Sequence, residues 1–407
     1  MPIRVLIVDD SVVMRRLLAE SLARDPEIEI AGKAPSGRIA LAKIAQLAPD
    51  VVALDVAMPE MDGLQTLGAI RRTHPKLPVI MLCKHTEDGG SRALAAMAAG
   101  ASDCVTKPDS ALSTATAIQR LHEDILPRIK SLAAGRGSAA AVTPRTGGPT
   151  AALRALSTRP AAASGAPAVT EPARAPTPRA GDAPAAPRSV ARLATLAAAP
   201  AGEPHGVLAI GVSTGGPNAL ASVLADLPAS FPLPVVVVQH MPPTFTRLLA
   251  ERLNVRVPMT VREARGGELL RPGEVWIAPG DHHMALERRG GGLEIVVHQE
   301  PHENSVRPAV DVLFRSVANA CRERAIAVVL TGMGQDGLDG CRWIKDRNGR
   351  VLVQDRETSV VWGMPGFVAR AGLADHVLPL GHIASQLLRM TDSGVGPRIS
   401  RAVGEQR

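Results

Sequence analysis

The sequence predicts an α/β protein of two domains: an N-terminal (βα)5 unit and a C-terminal doubly wound, mostly parallel α/β unit. Three observations carry that expectation. Short apolar runs alternate with helix-like stretches on both sides of a central segment. That segment, residues 131–203, is dominated by Ala, Pro, Gly, Ser and Thr and has no aromatic residue. The chain is 407 residues long and 45% apolar, enough for more than one core.

In the first half, residues 1–125, the strand "IRVLIV" leads into a helix from about Val12 to Ala23. "EIEIAG" precedes "GRIALAKIAQLA", and "DVVALD" precedes a loop and a helix near Leu64–Arg72. "PVIML" precedes a helix near Ser91–Ala99, and "SDCVT" a last helix near Thr114–Lys130. Five such units predict a parallel sheet. In the second half, residues 204–392, "GVLAIGVS", "PVVVVQH", "EVWIAPG", "AIAVVLTGMG" and "GRVLVQD" read as strands. "PNALASVLADLP", "FTRLLAERL" and "AVDVLFRSVANACRER" read as helices between them. The central segment buries too little apolar area to offset the entropy of ordering it, which makes it a linker with a span of roughly 50 Å if flexible. Residues 393–407 read as a frayed tail.

Aromatics are 2% of the chain, with no tyrosine, so both cores must be aliphatic. The four cysteines, Cys83, Cys104, Cys321 and Cys341, form no CxxC pair, and a reduced cytoplasmic setting is expected. No run of about 18 apolar residues exists, so no membrane insertion is expected. The N-terminus lacks the pattern of a signal peptide. The formal net charge of +7 suggests nucleic acid at first sight. Residues 131–202, however, hold eight arginines against one Glu and one Asp, a net of +6, so neither folded half is expected to carry a basic face.

Asp9 and Asp10 follow the first strand and Asp55 ends the third. In an open parallel sheet those ends share one edge, where ligands bind. Three carboxylates there need a cation, and hard oxygen donors suit Mg2+. Lys107, after the fifth strand, supplies a positive charge to the same edge. "VLIVDDS", "LDVAMPEMDG" and "CVTKP" together resemble the flavodoxin-like receiver domain of response regulators, over about residues 3–122. The resemblance implies that Asp55 is phosphorylated by a histidine kinase. It also implies that Asp9, Asp10 and Asp55 hold Mg2+ and that Lys107 contacts the phosphoryl group. Two positions depart from the pattern. Cys83 stands where receivers have Ser or Thr, and Cys104 where they have an aromatic switch residue. The two cysteines are expected at neighbouring strand ends, where a redox pair is conceivable beside plain substitution.

Gly211-Val212-Ser213-Thr214-Gly215 fits G-x-S-x-G, a nucleophile on a tight strand-to-helix turn. Taken alone the pattern is weak, and a helix-capping serine and a phosphate-binding turn are open readings of that stretch. A nucleophilic serine needs a base and the base an orienting acid. His240 ends "VVVVQH" and Asp336 follows "AVVLTGMGQ", so both emerge at the same sheet edge. Geometry, not chain order, defines such a triad. His282 and His283 are adjacent on an extended chain and point apart, which is poor metal geometry, and Pro301 prevents a helical His298/His302 pair.

"IGVSTGGPNAL", "VVVQHMPPTFT", "VWIAPGDHHM", "RPAVDVLFRSVA", "VLTGMGQDGLDG" and "VVWGMPGFV" resemble the catalytic domain of the CheB family of chemotaxis protein-glutamate methylesterases, over about residues 205–390. The resemblance implies Ser213 as nucleophile, His240 as general base and Asp336 as its orienter. Thr214 stands beside the nucleophile, and the resemblance places the backbone N–H of Met333 in the oxyanion site. The reaction implied is hydrolysis of glutamate methyl esters on methyl-accepting chemoreceptors, with release of methanol, and deamidation of certain receptor glutamines. It needs no metal. The chemotaxis histidine kinase is the implied partner of Asp55, and chemoreceptor arrays are the implied place of recruitment. Two other readings are open. One is a non-catalytic regulator that binds a phosphate-containing ligand at the Ser213 turn. The other is a DNA-binding output, for which no basic helix-turn-helix is apparent.

Overall fold

A computed structural model describes residues 1–109, 111–137 and 206–392. The first half runs β1 (Ile3–Val8), α1 (Val12–Leu22), β2 (Ile28–Ala34), α2 (Gly37–Leu47), β3 (Val51–Asp55), α3 (Gly63–Thr73), β4 (Val79–Cys83), α4 (Glu87–Ala98), β5 (Asp103–Thr106) and α5 (Thr114–Gly137). Its sheet has the order β2-β1-β3-β4-β5, with every pair parallel. β3 and β4 are buried at every position because helices cover both faces. The helices start where short polar side chains cap them. Ser11, Ser36, Asp62 and Thr86 each accept a hydrogen bond from the N–H three residues on. Asp62 and Gln65 complete a reciprocal capping box. The strand order reverses between β1 and β3, which places the loops after both strands at one crevice.

The second half runs β6 (Val207–Val212), α6 (Gly216–Ala225), β7 (Val235–Gln239), α7 (Phe245–Asn254), β8 (Thr260–Glu263), β9 (Glu274–Ile277), β10 (His283–Arg289), β11 (Gly292–His298), α8 (Val310–Cys321), β12 (Ala325–Val329), α9 (Leu338–Asp346), β13 (Arg350–Gln354), α10 (Met364–Arg370), β14 (His376–Leu378) and α11 (Leu380–Asp392). Seven strands form a parallel sheet, β14-β13-β12-β6-β7-β9-β8, and β10 and β11 pair as a separate antiparallel hairpin. The five expected strands are its centre. The sheet reverses direction of winding between β6 and β12, so the loops after those strands open into a second crevice.

The sequence reading missed β8, β14, the hairpin and α9 to α11. β8 is four residues, "TVRE", at the sheet edge, and β14 is three. Neither is long or apolar enough to be read from pattern. Residues 131–137, expected as the start of the linker, belong to α5, which continues to Gly137. Ile125, Ile129 and Leu132 along it are buried against β1 and α1 residues, and that packing carries the helix past its expected end. The rest of the expected linker and the tail 393–407 lie outside the described residues.

The two halves pack directly. Leu94 and Met97 of α4 belong to one buried apolar cluster with Leu220 and Val223 of α6 and Phe245 of α7. Val361, from the loop before α10, is buried in the cluster built around α1 and α5, with Met333 against it. Each half also has its own interior. Phe314, fully buried in the second, sets a simple stability test. Phe314→Ala is expected to cost about 3–5 kcal/mol of unfolding free energy, read by denaturant titration.

Candidate functional site

At the first crevice, Asp9 and Asp55 are buried and Asp10 is exposed. One carboxylate oxygen from each lies within 4.8 Å of the others. Lys107 Nζ reaches Asp9 Oδ2 at 2.8 Å and Asp55 Oδ2 at 2.6 Å. The backbone fixes the other oxygens: Ser11 N–H donates to Asp9 Oδ1 at 2.9 Å and Ala57 N–H to Asp55 Oδ1 at 3.2 Å. Burial raises the pKa of Asp55, and Lys107 opposes the shift. Lys107 is held above its ordinary value although burial works against it, because both carboxylates favour its charge. All three acids and the lysine meet as the sequence predicts, and the all-oxygen donor set suits a hard divalent cation.

Cys83 is the last residue of β4, but Cys104 is the second of β5 and pairs with Met81, not with Cys83. The expectation of two neighbouring strand ends is therefore corrected by two positions of register. The sulfurs still interact: the Cys83 thiol beside it, together with burial, pushes the Cys104 thiol up. A protonated thiol is a weak nucleophile.

At the second crevice, Ser213 follows β6, His240 follows β7 and Asp336 lies in the loop after β12. The serine does not cap α6. The cap position is Gly215, at φ +78°, in the left-handed region that suits glycine, and it offers no side-chain cap. Gly216 N–H instead closes a turn onto Ser213 C=O at 2.8 Å. Among the described residues the Ser213 hydroxyl has no hydrogen-bond partner and the Met333 N–H no acceptor.

His240 Nε2 meets Asp336 Oδ2 at 2.8 Å. Asp336 is buried and is the focus of five donors. Oδ2 also accepts from Val310 N–H at 2.6 Å; Oδ1 accepts from Asn304 Nδ2 at 2.9 Å, Asp311 N–H at 3.0 Å and Gly337 N–H at 3.0 Å. Val310 and Asp311 open α8, so the carboxylate sits on the positive end of that helix. Burial works to raise its pKa. The His240 hydrogen bond and charge, with the backbone N–H groups, outweigh burial and hold it below the usual value. The acid fixes the imidazole with hydrogen on Nε2 and leaves Nδ1 as the basic nitrogen.

Ser213 and His240 share a cavity of ≈ 130 Å³ whose other wall comes from the first half, with Asp103, Cys104 and Arg128 among its lining residues. Thr214 Oγ1 donates to Asp103 Oδ2 at 2.6 Å in a buried hydrogen bond, and Arg128 Nε donates to the same oxygen at 3.2 Å. The Thr214 hydroxyl is thus engaged by β5 of the other domain. Its carbonyl accepts from Thr331 Oγ1 at 2.9 Å. Asp103 lies four residues before Lys107 on the same strand-and-loop segment.

The His283 and His298 rings pack at a tilt of 37°, with centroids 5.4 Å apart. His283 Nδ1 accepts from Ala309 N–H at 3.2 Å and Nε2 donates to Pro301 C=O at 3.1 Å, so its role is structural. Sequence reasoning gave no role to Asn304 or Asp311. Asp311 stood inside a quoted motif, but nothing in a one-dimensional pattern shows that a helix start and a distant asparagine converge on one carboxylate.

A family model for CheB methylesterase matches residues 208–387, and one for the response regulator receiver domain matches residues 5–119. A protein-glutamate methylesterase/protein-glutamine glutaminase of Trichodesmium erythraeum is 45% identical over 386 residues, covering 95% of this chain and 98% of that protein. One of the same description from a Nocardioides species is 46% identical, with 95% of each chain covered. The solved CheB methylesterase catalytic domain of Thermotoga maritima is 45% identical, with a TM-score of 0.45, and covers 46% of this chain and 98% of that chain.

Proposed function

From the premise that this chain belongs to the family of receiver-linked protein-glutamate methylesterase/protein-glutamine glutaminases, we propose that it hydrolyses glutamate methyl esters on chemoreceptors and deamidates receptor glutamines, under control of phosphorylation at Asp55. The convergence of Ser213, His240 and Asp336 on one crevice is the observation that carries this reading.

Ser213 Oγ attacks the side-chain carbonyl carbon. His240 Nδ1 takes the hydroxyl proton while Nε2–H stays on Asp336. The tetrahedral oxyanion would be received by the Met333 N–H, a donor not spent on another backbone group. The imidazolium returns the proton to the leaving methoxide, or to the amine when the substrate is glutamine. Water then enters by the same steps in reverse, and Ser213 is released.

In the receiver, Asp9, Asp10 and Asp55 would hold Mg2+, which neutralises phosphate charge when bound. Asp55 Oδ attacks the phosphorus of a phosphohistidine on a chemotaxis histidine kinase; the O–P bond forms as the P–N bond breaks and the imidazole leaves. Lys107 then exchanges its carboxylate partner for a phosphoryl oxygen. β5 ties that lysine to Asp103, whose carboxylate holds the Thr214 hydroxyl beside the nucleophile. The receiver walls the cavity in front of Ser213, so the unphosphorylated form is inhibited by occlusion. Work at receptor arrays in the cytoplasm fits this reading.

The test is methanol release from methylated receptors, with and without a small-molecule phosphodonor. Wild type should be stimulated and Asp55→Ala should not. Asp103→Ala should raise the unstimulated rate, since it removes a buried charged hydrogen bond worth roughly 1.5–3 kcal/mol from the closed interface. Equal rates in all three with and without donor would refute the regulatory reading.

A further inference from the structure

We propose that Asn304 is a positioning residue for the esterase. It holds Asp336 ionised by bridging it to a second buried carboxylate, Asp311, and so sets the pH at which the His240–Asp336 pair fails. This rests on the assignment of Ser213, His240 and Asp336 above.

The geometry is specific. Asn304 Nδ2 lies 2.9 Å from Asp336 Oδ1 and 2.8 Å from Asp311 Oδ2. An amide has two donors on nitrogen and only acceptor capacity on oxygen. Facing two carboxylates, only the nitrogen satisfies both, so the orientation is dictated by chemistry. Asp311 and Asp336 are each nearly inaccessible to solvent. Two buried carboxylates so placed cannot both ionise cheaply unless donors stand between them. Asp311 Oδ1 has its own donor, Gly340 N–H at 2.6 Å. Gly340 is required there: a Cβ would come within 2.5 Å of the Phe314 Cβ and 3.1 Å of Asp311 Oδ1.

The loop that presents Asn304 is built for it. Asn304 and Ser305 adopt φ of +52° and +64°, and Glu303 and Val306 exchange backbone hydrogen bonds around them. Glu303 is pinned by Arg315 of α8 at 2.5 and 2.7 Å. The charged groups facing the carboxylate pair are His240 on the β7 side, Arg315 and Glu303 on the α8 side, and Asp339 at the start of α9. Burial first, and then the Asp336 charge, push Asp311 up to about 6. Asp336 stays below the usual value. The two environments drive one proton of the pair onto Asp311 and keep it off the acid that orients the histidine.

Without the Asn304 amide, Asp336 loses a donor and meets the Asp311 charge directly. The proton then returns to Asp336 at higher pH, and the acid limb of kcat moves up. Asn304→Asp has nearly the same shape but adds a third carboxylate, so it should move the limb furthest. Asn304→Ala should move it less, by about one pH unit. Both should lower kcat most on the acid side of the profile, where Asp336 takes up its proton, with KM changed little, the pattern of a lost transition-state interaction. Asn304→Ala/Asp311→Asn, which removes the opposing charge, should return the limb toward wild type.

The experiment is the pH profile of kcat and KM for methanol release by the full-length chain of each variant, with thermal unfolding measured alongside. Asn304→Asp matching wild type would mean that residue 304 only fills space and would overturn the proposal, as would a double variant as displaced as Asn304→Ala. If either single variant fails to fold, Asn304→Ser, which keeps a shorter donor, must show an intermediate limb or the proposal fails. Ser213→Ala runs in parallel. Activity surviving there defeats the triad itself, whereas an inactive Ser213→Ala beside a normal Asn304→Asp defeats this inference alone.

Discussion

Ser213→Ala is expected to lower kcat for methanol release by about 10⁴-fold or more, because it removes the only atom that bonds to the ester carbon. The fold should be indifferent to it. The Ser213 hydroxyl has no hydrogen-bond partner among the described residues, so none is orphaned. What packs tightly is its Cβ, close enough that a Cβ on Gly332 would lie 2.9 Å from it, and alanine keeps that atom. Unfolding midpoints should coincide while turnover collapses, and glutamine deamidation should fall in parallel. A variant that still turned over receptors would return the turn to a binding role, the non-catalytic reading that the G-x-S-x-G pattern alone leaves open.

Asp336→Asn should be nearly as severe, about 10⁴-fold in kcat, by a different physical route. The carboxylate accepts from His240, Asn304, Val310, Asp311 and Gly337. An amide in its place has donors where acceptors are required. If its nitrogen takes the Oδ2 place, the Val310 N–H is orphaned and the imidazole must move its proton to Nδ1, the nitrogen that should receive the serine proton. Unlike the serine variant, this one should also lose stability, by about 1–3 kcal/mol for a buried donor left unsatisfied. The contrast is measurable: activity lost with the unfolding midpoint kept for Ser213→Ala, both lost for Asp336→Asn.

Much of this was legible in the sequence because parallel sheets put chemistry at predictable places. Apolar runs such as "VLIV", "VVAL" and "VVVV" are buried on both faces, and the first polar residue after each must emerge at the carboxyl edge. Asp9, Asp55 and Ser213 follow that rule, and His240 follows it one residue on, because Gln239 still belongs to the buried strand. The remainder depends on contacts between segments far apart in the chain. Thr214 meets Asp103 across 111 residues, and no periodicity in either stretch encodes the pairing. Asn304 is a turn residue by any local criterion; its bond to Asp336 needs both the left-handed loop and the start of α8. The edge strand β8 was lost because four residues with a single apolar one among them carry no pattern, and the position of Cys104 because a two-residue register shift leaves no trace in one strand alone.

The loop that carries Val361 into the receiver's core has a practical consequence. Trp362 is the next residue, with its indole N–H bonded to Gln354 C=O at 2.9 Å. The other two tryptophans, Trp276 and Trp343, also belong to the second half, the chain has no tyrosine, and residues 1–130 contain no aromatic residue of any kind but histidine. The receiver is therefore silent in near-ultraviolet emission, and all the intrinsic fluorescence comes from the hydrolase. Separation of the domains on phosphorylation would wet the surroundings of Trp362 first. Intrinsic emission, with no label attached, then follows domain opening in real time from the side of the interface that does the chemistry.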